Sequence, residues 1–213
     1  MRSKLVWGLF IGILVACDRL PKLGPGNEGQ NKLASAAEED CGFVQNSFGQ
    51  RVSWKQSLPI KIFLGSEFTT DYETSLREAA KKWEEAVGRT LFVFERSNQV
   101  FTTARDYRNS ISISQTWGEV DRTLQAVTSL TWYNSQLTEA DIRINAQYFS
   151  FYVDKPSSTN EVHLTSLFVH ELGHILGLKH LTGISVMTEI LDYLLKRELP
   201  TEQDRAHLKC EYN

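Results

Sequence analysis

From Pro59 to Leu64 (PIKIFL) apolar and polar side chains alternate, which predicts a strand. Thr70, Asp71, Tyr72 and Glu73 then make a capping-box pattern, and Leu76, Ala79, Trp83 and Val87 recur at helical spacing until Gly88. This predicts a long amphipathic helix whose bulky stripe, Trp83 included, packs into a core. Leu91 to Phe94 and Ile111 to Ser114 predict two further strands joined by a polar loop. Leu124 to Tyr133 mixes Thr and Ser with apolar residues on both faces, and Asp141 to Asn145 alternates again. Helical spacing returns near Leu164, with Phe168, Leu172, Ile175 and Leu176 on one stripe. Strand, helix, four strands and helix in that order predict an α+β fold: a mixed sheet of about five strands with helices packed on one face. No internal repeat is present.

The first residues do not belong to that pattern. Arg2 and Lys4 precede an apolar run from Leu5 to Val15, the arrangement of an export signal. The run is shorter than the roughly 18 to 20 residues a membrane-spanning helix needs. Leu14, Val15, Ala16 and Cys17 resemble the lipobox of bacterial lipoproteins, which implies cleavage before Cys17 and a lipid on its sulfur; an ordinary signal peptide with a chance cysteine is the alternative. From Asp18 to Asp40 the chain is rich in Gly, Pro, Asn, Ser and acids and has little to bury. The expected organisation is a lipoprotein signal peptide at 1–16, a lipid-anchored flexible tether at 17–40 and one domain at 41–213, in a protein of the bacterial cell envelope. Asp18 resembles an inner-membrane retention signal, and inner and outer membrane both stay open.

The chain carries 23 basic and 26 acidic side chains, and Arg2 and Lys4 fall in the leader, so the remainder is acidic with a net charge of about −5 and no basic cluster. That argues against a nucleic-acid partner; a monomer is expected. With Cys17 assigned to lipid, Cys41 and Cys210 remain at the two ends of the domain, in a compartment where disulfides persist. A Cys41–Cys210 bond is the first expectation. The second is that Cys41, followed by Gly42, supplies an inhibitory thiolate to a metal.

Three of the five histidines fall within HELGHILGLKH, residues 170 to 180. Positions four apart in a helix lie one turn apart on the same face, so His170 and His174 can share one ion. Glu171 sits beside them, able to reach a water without being a ligand. Gly177 can take the left-handed conformation that ends a helix, and His180 follows three residues later, able to swing back as a third ligand. Three neutral imidazoles suit one catalytic Zn²⁺ ion with a fourth position open for water, and Glu171 is the candidate general base.

His170-Glu171-x-x-His174-x-x-Gly177-x-x-His180, followed by Ser185-Val186-Met187, resembles the metzincin zinc metallopeptidases. The strand order, the stretch TWYNSQLTEADIRIN and the final LPTEQDRAHLKCEY are similar to the matrixins within that clan, over roughly residues 55 to 212. The resemblance implies a metzincin-like catalytic domain: a twisted mixed sheet, two long helices including the active-site helix, a Met-turn with Met187 as an apolar floor below the zinc, and a C-terminal helix. It also implies an endopeptidase whose protein or peptide substrate lies extended along the strand at Leu124 to Tyr133. A zinc-stabilised envelope lipoprotein that binds peptides without cutting them is the alternative.

Two positions depart from relatives of that clan. Leu181 follows the third histidine, where Asp, Glu or Ser is familiar, leaving the branch open. Glu189 stands where some branches place a tyrosine, so no tyrosyl ligand is expected. The tether holds no cysteine-switch peptide. His163 reads as a cap or surface residue, His207 as the solvent side of a C-terminal helix capped by Thr201 and Asp204, and Glu189 and Asp192 as solvated loop acids.

Overall fold

Alternation places Ile60, Ile62 and Leu64 on the buried side of β2 (Ile60–Leu64), and the same logic carries through the rest of the sheet. A computed structural model describes residues 37–99, 101, 105–118 and 120–213, together with the backbone of 13–16. The remaining strands of the main sheet are β1 (Ile13–Ala16), β3 (Phe92–Arg96), β4 (Asn109–Ser114), β5 (Ala126–Tyr133) and β6 (Gln136–Asn145). They run in the order β1-β5-β6-β4-β2-β3. The β3–β2–β4–β6 ladders are parallel, whereas β5 pairs antiparallel with β6. This is the expected mixed five-stranded sheet, with β1 added along the outer edge of β5, Ile13 opposite Leu130 and Ala16 opposite Val127. Those four residues lie in the expected leader; its first part, Cys17 and the tether as far as residue 36 lie outside the described residues. Among the described residues no helix is long and apolar enough to cross a membrane.

The helices are α1 (Thr70–Val87), α2 (Leu164–Ile175) and α3 (Glu202–Tyr212). α2 packs on β5 and β6, α1 on α2, and α3 on α1. The cap of α1 is one residue earlier than its sequence suggests: Thr69, in extended conformation, accepts the backbone N–H of Tyr72. Glu73 is therefore not a capping partner. It accepts from Arg77 at 2.7 Å and from Arg96 at 2.5 Å, tying the start of α1 to the end of β3. At the other end Gly88 takes φ 69°, as its position predicts.

β6 begins five residues before the expected Asp141, because its first half is polar. Gln136 donates to Trp54 O, and Glu139 accepts the backbone N–H groups of Asp106 and Tyr107. Asn134, at φ 56°, makes the turn that joins β5 to β6. The short parallel pair β7 (Ser150–Tyr152) and β8 (Glu161–His163), which its sequence does not announce, leads straight into α2. Cys41 and Cys210 are joined by a disulfide, so Cys41 offers no thiolate to a metal. Glu211 beside it holds Arg51 at 2.7 Å and Lys55 at 2.8 Å, so the C-terminal helix is fastened to the start of the domain.

Candidate metal centre

Every residue of α2 is buried, an unusual setting for a helix that carries two histidines and a glutamate. Its exposed-group problem lies at the C-terminus, where the last carbonyls have no helical partner. Trp54 donates its indole N–H to Ile175 O at 2.7 Å and Tyr212 its hydroxyl to Leu176 O at 2.6 Å. Leu178 N–H returns to Gly173 O and Gly177 N–H to His174 O, with Gly177 at φ 99°, a Schellman ending. Only glycine fits there, since a Cβ would stand 2.3 Å from Val52 O. The chain then reverses. Lys179 N–H bonds Gly42 O, and Leu181 N–H bonds Met187 O, so His180 hangs between two fixed points.

The reversal brings His170, His174 and His180 together, with one ring nitrogen from each lying within 4.8 Å of the others. His170 Nδ1 faces Val186 O at 2.9 Å and His174 Nδ1 faces Leu178 O at 2.8 Å. Carbonyl oxygens only accept, so both Nδ1 atoms carry the hydrogen and the Nε2 lone pairs point inward. Burial pushes the His170 pKa down to about 3, helped by the neighbouring His180, and burial likewise holds His174 well below the usual imidazole range. Both rings are therefore neutral at pH 7, with Nε2 atoms 3.1 Å apart. Two lone pairs at that distance repel unless a cation sits between them, so the donor set fits a metal ion. Three imidazoles suit Zn²⁺.

Glu171, adjacent to the first histidine, is fully buried, and its Oε2 accepts the Thr128 hydroxyl of β5 at 2.5 Å. Thr128 was not legible as a site residue. Its one signal is a hydroxyl on the buried face of a strand between Ala126 and Leu130. Met187 is fully buried, its side chain packed against Gly173 of α2. The turn that carries it is strapped to α3 through Asp204, also fully buried. Its carboxylate accepts Ser185 Oγ, Val186 N–H at 3.0 Å and Thr201 N–H at 2.8 Å. Since Val186 O orients His170, the cap of the last helix reaches the metal site. The Thr201–Asp204 capping box was visible in the sequence; its second function was not.

Two further histidines depart in part from their sequence reading. His163 precedes α2, as expected, but is buried, with Nδ1 on Ser166 Oγ and Nε2 on Val153 O, and burial lowers its pKa. His207 is half-buried, one edge of its ring packed against Gly42. Leu181 is buried at 9% exposure beside Gly42, so this position serves packing. Asp192 is exposed and lines an open cavity of about 440 Å³ with Arg122, Gln125, Tyr148 and Tyr193. Gln125 donates to Leu191 O there, tying the start of β5 to the segment after the Met-turn.

A buried helix with two histidines one turn apart, a third returned by a glycine, and a buried methionine packed on that helix, in a domain with a mixed sheet, fit the metzincin class of zinc metallopeptidase domain. Within it, the matrixin (peptidase M10) family model matches residues 66–212, more than half of the chain, and the chain belongs to the matrixin family. No curated protein matches the sequence.

Proposed function

We propose that this protein is a zinc endopeptidase that cuts extended protein or peptide chains outside the cytoplasm, with His170, His174 and His180 as ligands of one Zn²⁺ ion and Glu171 as general base. The observation that carries the reading is the juxtaposition of a three-histidine cluster, two of its imidazoles buried and neutral, with a buried glutamate on the helix that carries those two. A merely structural zinc site has no need of the glutamate. Bound at the triad, zinc supplies a Lewis acid for the scissile carbonyl and for the attacking water. Glu171 takes the proton from that water and returns it to the leaving amine, and Met187 closes the floor below the imidazoles.

β5 supports the reading of substrate as an extended chain. Its outer edge accepts an antiparallel strand, as β1 does, with Val15 opposite Thr128. Removal of residues 1–16 with the leader would leave that edge open to a substrate backbone beside Glu171. The same reading takes Cys17 as a lipid anchor to the bacterial envelope and 17–40 as the tether of a monomeric domain at 41–213.

The test is cleavage-site profiling of the purified domain on a peptide library. Turnover that stops with a zinc chelator and returns with added Zn²⁺ supports the proposal; zinc-loaded protein that binds peptides and cuts none overturns it. For the anchor, labelled palmitate is expected on the wild type and lost in Cys17→Ser.

A further inference from the structure

We propose that Thr128 is a positioning residue for Glu171, its hydroxyl holding the carboxylate in the orientation in which it works as a base. This rests on the peptidase reading above and adds a residue to it. Thr128 Oγ1 and Glu171 Oε2 are 2.5 Å apart, and both residues are fully buried. An ionised carboxylate can only accept, so the hydroxyl donates, and its single proton is committed to that oxygen.

Both ends of this contact are fixed by their elements. Thr128 lies mid-strand in β5, opposite Ile142 of β6. Its branched side chain has restricted rotation about χ1, so the strand determines where the hydroxyl sits. Glu171 stands in α2 next to His170, whose own ring is held by Val186 O. The remaining freedom is rotation of the carboxylate about its last bond, a broad torsion without staggered wells. A donor on Oε2 restricts it. Ser129, the next residue of β5, points to the other face and pairs across the ladder with Asp141, so a shift of one residue would aim no hydroxyl at Glu171.

Packing alone gives no reason for threonine here. Ala126 and Leu130 flank it on the same buried face, and valine would fill the space with better strand propensity. Valine also keeps the backbone N–H and C=O groups of β5, and with them any pairing to a substrate strand.

The experiment compares wild type, Thr128→Val, Thr128→Ser and Thr128→Ala as zinc-loaded protein, measuring kcat and KM separately on one library-derived peptide. Bound zinc and the visible spectrum of the Co²⁺-substituted forms are read in parallel. Thr128→Val is expected to lose kcat by about 100-fold, the scale of a misaligned reacting group, while KM, zinc content and the cobalt spectrum stay as in wild type. Thr128→Ser is expected to restore most of the loss. Thr128→Ala is read the same way should the valine variant fail to fold. A kcat for Thr128→Val within about threefold of wild type overturns the inference, as does a loss that serine leaves unrepaired. Wild-type protein without turnover overturns the peptidase reading and this inference with it; wild-type turnover with an unaltered valine variant overturns this inference alone.

Discussion

Gly173 and Met187 touch: a Cβ at position 173 would stand 2.2 Å from the Met187 sulfur and 3.0 Å from Trp83 Cζ2. In an exposed helix, glycine to alanine gains about 1 kcal/mol. Here the neighbours leave little room, because Met187 is fully buried and Trp83 is held by its indole N–H on Val169 O. Gly173→Ala is therefore expected to destabilise the domain by about 1–3 kcal/mol and to weaken zinc binding by displacing the Met-turn. Denaturant unfolding and competitive zinc titration measure the two effects. An alanine variant as stable as wild type would show slack at this contact.

The Cys41–Cys210 disulfide closes nearly the whole domain into one loop. The chain-entropy model puts its contribution at up to about 4–5 kcal/mol. The double variant Cys41→Ser, Cys210→Ser is expected to melt at a lower temperature yet keep its zinc and its turnover below that melting point. Loss of zinc or of turnover below that melting point would contradict a purely constraining role for the bond.

Asp141 carries the pH dependence. Burial raises its pKa from 3.8 to about 7, with Ser110 N–H and Oγ donating to Oδ1 and the neighbouring Glu139 pushing further upward. A carboxyl raised in the fold contributes its stability below its unfolded pKa and loses it as pH rises through the folded one. Between about pH 4 and pH 7 wild type is thus expected to lose up to about 4 kcal/mol from this group. Asp141→Asn keeps an oxygen for Ser110 and removes the charge. Thermal melts should show it more stable than wild type at pH 8 and nearly equal near pH 4; a constant difference across that range would contradict the assignment.

What the sequence made legible follows the reach of each signal. The spacing of His170, His174 and Gly177 encodes a helical turn and a helix end, both local, and these were readable. So were the alternating strands at Ile60–Leu64 and Asn109–Ser114, apart from their ends. β6 was read only in its second half, because Gln136 and Glu139 have partners distant in sequence that make their polarity compatible with a strand. The Thr128–Glu171 bond and the Asp204 strap link residues 43 and 18 positions apart, and no periodicity announces such contacts. His163 stands at the cap position of α2, one of its two expected readings, but its burial was not legible for the same reason. Its partners, Val153 O and Ser166, are brought to it by the β7–β8 pair and by α2.

The central claim is that Glu171 acts on water while the three histidines alone hold the metal. It is tested most directly by Glu171→Ala, with bound zinc and peptide turnover measured on the same preparation. Near-stoichiometric zinc with kcat reduced by about 100-fold or more is the expected result. Zinc retained with turnover unchanged would contradict the account.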